Sequence, residues 1–348
     1  MTKKMVISIV VVVLWLWPVF DTLHAKERRG VVTINVDLKA PAEARSVRLW
    51  VPYPLSDENQ AITRISVTGN YSSAQVSRED TFGNTMLFVE WNEPSPSRTL
   101  TYTFDVMRKE RITKNFISKE LPVPQAEMAN LLSLKEYDTS AEQKVKELAG
   151  KITGGKKTVL AKAQAVYDWI VENMYRDANI KGCGFGEVGK LLDTLGGKCA
   201  DIHSVFVALA RASGVPAREI YGLRIPAGSS GDATRAQHCW AEFYLPGYGW
   251  VVVDPADVAK AILEKKLTLA QAQPYREYFF GAVDESRIAY GTGRNILLSP
   301  AQAGAPLTYF MYPYAEAGGK MLNEDLYGFN LGYTITFKEQ QATASMPR

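Results

Sequence analysis

The sequence predicts an α+β protein in which helices gather on one side of a largely antiparallel sheet, with a small all-β sandwich preceding them. Three observations carry this expectation. Strand-like segments crowd residues 31–106, helical periodicity dominates residues 140–212, and strand patterns return after Arg218. At 348 residues the chain exceeds one typical domain. The expected division is 1–25 as a signal peptide or membrane anchor, 26–115 as the sandwich and 116–348 as the second domain.

The N-terminus places Lys3 and Lys4 before an apolar run from Met5 to Phe20, short for a spanning helix and ending in Leu23-His24-Ala25. This is an export signal, with cleavage expected after Ala25 and an uncleaved anchor, hence membrane association, as the alternative. The expected location is periplasmic or extracellular. Hydrophobic residues make up 46% and charged residues 22%, and the net charge of +3 is too small for an electrostatic footprint on nucleic acid.

Five strands are expected in the first domain, from VVTINVDL, SVRLWVPYP, RISVTGNYS, TMLFVEWN and TLTYTFDVM, broken by polar and proline-rich turns. It holds no His or Cys, so it reads as a scaffold or recognition module. Lys109 to Gln125 forms a polar connector ending in LPVPQ. Helices are expected over Ser140–Leu148 and Thr158–Met174, the second with a strong apolar face. A glycine-rich loop, NIKGCGFGEVGKLLDTLGG, leads into GGKCADIHSVFVALARASGVPAR, where Gly214 and Pro216 stop a helix that starts near Cys199. The strands EIYGLRI and HCWAEFYLPGYGWVVVDP follow, separated by the loop PAGSSGDATRA. Beyond them lie a helical piece near Ala259–Glu264 and a last strand, Gly328–Phe337.

The chain has three cysteines, Cys183, Cys199 and Cys239, an odd number for an exported protein. At least one thiol is therefore free or pairs with another molecule. Cys199 sits at a helix N-terminus, whose unpaired amides and dipole favour a thiolate, after two glycines that let a substrate approach the backbone. Its amide is a candidate oxyanion donor. A buried core cysteine is the competing reading.

A thiol nucleophile needs a base, and two histidines follow the leader. His203, one helical turn beyond Cys199, suits packing or a supporting hydrogen bond, the base role being its alternative. His238, at the head of a strand, is the expected base. Asp254, at the end of the partner strand, is the expected orienting acid, with a turn residue before Pro255 as its alternative. This triad makes a demand on register: a four-residue loop pairing Leu245 with Trp250 would put His238 and Asp254 on opposite faces, whereas Tyr244 opposite Trp250 brings them within side-chain reach.

The blocks GGKCADIHSVFVALARASGVPAR, QHCWAEFYLPGYGW and VVVDPAD resemble the transglutaminase-like superfamily over roughly 160–257. The resemblance implies a papain-like fold with the catalytic triad Cys199, His238 and Asp254, and places Trp240 and Trp250 in the core and site wall. The tail after Ala259 should, by position, supply the remaining strands of that core. The implied activity is acyl transfer through a thioester on a protein or peptide substrate, hydrolysis by a cysteine peptidase or amidase being favoured over crosslinking. No cofactor is implied, and the calcium dependence of some animal members has no counterpart in this chain.

Two other classes compete with this reading. A zinc site from Cys199, His203, His238 and Cys239 fails because successive strand residues point to opposite faces. A non-catalytic binding module would keep the fold without needing the three residues. The remaining thiols, Cys183 and Cys239, should lie near the site; a disulfide between them is one expectation, burial of Cys239 on the inward strand face the other.

Overall fold

The computed structural model describes residues 25–116, 121–137 and 139–340. The expected export signal lies almost wholly outside them. Among the described residues no helix is long and apolar enough to cross a membrane.

The sequence from Lys26 onward alternates buried and exposed positions, as in Glu27–Asp37, and this period-2 pattern builds a sandwich of two five-stranded antiparallel sheets. One sheet runs, in spatial order, Ser230–Asp232, Tyr333–Glu339, Glu27–Asp37, Thr99–Lys109 and Gln60–Gly69. The other runs Lys320–Met321, Tyr314–Ala317, Val47–Pro52, Thr85–Trp91 and Ser73–Arg78. Ile34, Phe104, Leu49 and Val89, drawn from both sheets, share one buried core. Strand Thr85–Trp91 is buried on both faces, because Trp50, Met86 and Phe88 pack outward against Ile296, Leu298 and Phe310.

The sandwich thus draws on both ends of the chain. Ile34 pairs with Ile335 and Trp50 with Tyr314, so these tail strands complete the sandwich and not the helical core, contrary to the positional expectation. Among the described residues of the tail, Arg287–Thr292 alone joins the core sheet as a strand, beside Ala217–Arg224. Ser73–Arg78 escaped the sequence pattern because it is an exposed edge strand with no apolar alternation.

The core sheet has four antiparallel strands in the order Gly249–Val253, Gln237–Leu245, Ala217–Arg224 and Arg287–Thr292. Helices Glu142–Thr153 and Val159–Asn173 pack around a central helix, Cys199–Ala212, which lies on that sheet. Nearly every residue of the central helix is buried, from Cys199 to Arg211. It is hydrophobic all round because helices cover one side and the sheet the other. Helix Val159–Asn173 starts where the sequence places it: the Thr158 hydroxyl accepts from the Ala161 amide at 3.1 Å.

Candidate active site

The central helix begins at Cys199, and its start is fixed by Asp201. One carboxylate oxygen accepts from the Lys198 amide at 3.0 Å and the other from the Gly186 amide at 2.8 Å. The same acid therefore caps the helix and ties down the glycine-rich loop. Gly184 in that loop has φ +87° and approaches so closely that a Cβ there would lie 1.8 Å from Asp201 Oδ2. The Cys183 carbonyl accepts from the Ala200 amide at 2.9 Å, which brings the loop thiol beside the helix start.

All three cysteines of the chain meet here, free and buried. The Cys199 thiol is held well below its ordinary range by hydrogen bonds from Cys183 and Cys239, and, against the cost of burial, by the hydrogen bond and charge of His238. Burial and the Cys199 contact push the other two thiols up, so they remain neutral donors around it. The Cys183–Cys239 disulfide is not formed. The Cys183 sulfur instead accepts from the Tyr312 hydroxyl at 3.2 Å, and the Gln237 carbonyl, also at 3.2 Å, competes with Cys199 for its single proton.

His238 reaches the site through the register that the triad demands. Tyr244 pairs with Trp250 and Leu245 with Gly249, leaving a three-residue loop, 246–248. Strand pairing ends at Ala241 and Val253, and Asp254 turns out of the sheet to cap helix Pro255–Lys265, accepting from the Asp257 amide at 2.8 Å. The turn-residue alternative for Asp254 and its orienting geometry hold together in one residue. Its Oδ2 lies 2.8 Å from His238 Nε2, which leaves Nδ1 as the ring nitrogen open to Cys199. Burial and the Arg224 guanidinium oppose a charged His238, yet Asp257 and Asp254 outweigh them and raise its pKa.

The second oxygen of Asp254 serves a second imidazole. His203 Nε2 lies 3.1 Å from Asp254 Oδ1, and His203 Nδ1 lies 3.3 Å from Cys239 Sγ. Two chains of contacts therefore run from one carboxylate toward Cys199, one through His238 and one through His203 and Cys239, whose single proton is shared between His203 Nδ1 and the Cys199 sulfur. The supporting hydrogen bond expected of His203 is present. Replacing Cys239 with Ala is expected to slow Cys199 alkylation at pH 6 by about tenfold, the worth of one hydrogen bond to a charged group, as measured by peptide mapping after timed labelling. An unchanged rate would mean that the second chain of contacts does not reach the thiolate.

Asp254 carries this load because Arg287, fully buried, pairs with Asp254, with Asp257 and, at 2.9 Å, with Asp284. Burial alone would raise the Asp254 carboxyl, but Arg287, His238 and His203 hold it well below the usual range. Sequence reasoning missed Arg287, which sits 33 residues from Asp254 on another strand with no motif around it (287 − 254). The ligand atoms of His238, Asp254 and Asp257 lie within 4.8 Å of one another, as a metal site would need, but the Arg287 guanidinium already supplies the positive charge among them. Trp240 is buried as expected, and it and Trp250 line a cavity on the core sheet.

A sequence model of the transglutaminase-like superfamily matches residues 146–255. A Haemophilus influenzae protein of uncharacterised function is 38% identical over 318 residues, spanning 84% of this chain and 86% of that relative. The uncharacterised Bacillus subtilis protein YebA is 27% identical over 256 residues, 63% of this chain but 32% of that longer relative. A candidate cysteine protease from Cytophaga hutchinsonii shares the fold at a TM-score of 0.54 and 17% identity, over 90% of this chain and 99% of that one. The chain belongs to the transglutaminase-like superfamily.

Proposed function

We propose that this protein is an exported cysteine enzyme that cleaves peptide or carboxamide bonds through a thioester on Cys199. The observation that carries the reading is the 2.8 Å contact between His238 and Asp254 beside a thiol whose pKa is depressed. Each group has a role. The Cys199 thiolate attacks the substrate carbonyl, and the resulting oxyanion meets the Cys199 amide, which makes no hydrogen bond among the described residues. The His238 imidazolium gives its proton to the departing amine as the C–N bond breaks, leaving an acyl thioester and a neutral ring. Neutral His238 then takes a proton from water, whose oxygen attacks the thioester; the acid leaves and the Cys199 thiolate is restored.

Water is favoured over a lysine amine as the second nucleophile because Cys199 is 3% exposed. Once the acyl group occupies that site, water needs less additional room beside it than a lysine side chain does. Export rests on the leader pattern of Lys3, Lys4 and the apolar run Met5 to Phe20. The test is a peptide library incubated with the wild type and with Cys199→Ala, with and without a fluorescent primary amine. New carboxyl termini from the wild type alone are expected. Amine incorporation in place of hydrolysis would make the protein a crosslinker, and equal turnover by both proteins would remove Cys199 from the chemistry.

A further inference from the structure

On the core-sheet face turned away from the central helix lies a cavity of about 250 Å³, closed on its other side by the sandwich. Its polar lining is unevenly paired. Glu242 is the shared partner of two arginines: Arg218 donates through Nε at 2.8 Å, and Arg111 donates to its other oxygen and to the Trp250 carbonyl. Arg218 also lies flat on Trp250, 3.9 Å from the ring centre. Those two guanidinium groups are satisfied.

The third is not. Arg108 is 3% exposed and uses only its Nε, which donates to the Arg287 carbonyl at 2.5 Å. Arg108 lines the cavity, and its two terminal nitrogens have no hydrogen-bond partner among the described residues. Asp57, the acid nearest in charge, is exposed at the rim, where its Oδ1 accepts from the Asn59 and Gln60 amides at 2.6 and 2.8 Å. That edge opens on the cavity while the rest of the residue is buried, so an acceptor placed there would complete the guanidinium. Burial lowers the Arg108 pKa to about 10, in keeping with a charge only partly compensated.

We infer that this cavity is a binding site for a compact oxyanion, a carboxylate or a phosphate, held in a two-point grip by the free edge of Arg108. The planar fork of a guanidinium matches two oxygens of such a group; Asp57, Glu58 and Glu242 balance the three arginines of the lining, so the free Arg108 edge and not net charge supplies the preference. The ligand would lie behind Arg287, whose carbonyl holds Arg108 and whose side chain holds Asp254. This site is independent of the acyl-transfer reading and stands or falls separately.

Isothermal titration of the purified protein with sodium acetate and, separately, with inorganic phosphate at constant ionic strength tests it. Saturable one-site binding of at least one anion is expected, weakened at least tenfold in Arg108→Gln and less in Arg108→Lys. Acetate alone would point to a peptide terminus or acidic side chain as the natural occupant, phosphate alone to free phosphate or its esters. Asp57→Asn, an exposed change that keeps the acceptor for both amides, guards against misfolding of the arginine variants. It should tighten binding by a few fold. Failure of both anions to bind the wild type, undiminished binding by folded Arg108→Gln, or weaker binding by Asp57→Asn would each overturn the proposal.

Discussion

Replacing His238 with Ala is expected to slow alkylation of Cys199 at pH 6 by about 30- to 100-fold. An ordinary thiol of pKa ~8.5 is roughly 0.3% thiolate at that pH, so a fully relaxed Cys199 would lose about 300-fold of its reactive form. Two effects reduce that figure. The Cys183 and Cys239 donors remain, and a thiolate of higher pKa is intrinsically the better nucleophile. What His238 adds, and neutral thiols do not, is a full positive charge sustained by Asp257 and Asp254. Peptide mapping after timed labelling reads the rate at Cys199 separately from the other cysteines; a change under threefold would mean that the imidazole does not hold the thiolate.

Arg287→Met should be the most destabilising single change near the site, at about 3–5 kcal/mol, the cost of breaking a buried ion pair by removing one partner. It would strand Asp254 and Asp257, both buried, and free Asp284, now held at about 2. The sign of the pH effect follows. These carboxyls have depressed folded pKa values, so their contribution is present above the unfolded value of ~4 and is lost as pH falls through the folded values. The variant should therefore lose most stability near neutral pH and show a smaller deficit against the wild type below pH ~3. Urea unfolding at both pH values measures this, and an equal deficit at each would show that packing, not charge, explains the loss.

The parts of the fold legible in the sequence were those with local causes. The Thr158 cap, the apolar face of the helix after it, and the glycines and proline that bound the Cys199 helix each act within a few residues. His238 and Asp254 were legible because one hairpin joins them, and the 246–248 loop decides whether they meet. Arg287 and the return of Tyr314–Ala317 and Tyr333–Glu339 to the sandwich depend on pairings across long stretches of chain, which no local periodicity encodes. The convergence of the three cysteines belongs to the same class. Their odd count suggested a reactive thiol, but only the close approach of the glycine-rich loop to Asp201 puts Cys183 beside Cys199.

The central claim is that Cys199 exists as a thiolate paired with the His238 imidazolium, and the pH dependence of its alkylation tests this most directly. Because Cys199 is nearly buried, the shape of the profile is decisive and its absolute height is not. With the thiol lowered and the imidazole raised, the rate should stay nearly flat from about pH 6 to pH 8. A rate that falls about tenfold for each pH unit below ~8.5, as for an ordinary thiol, would contradict it.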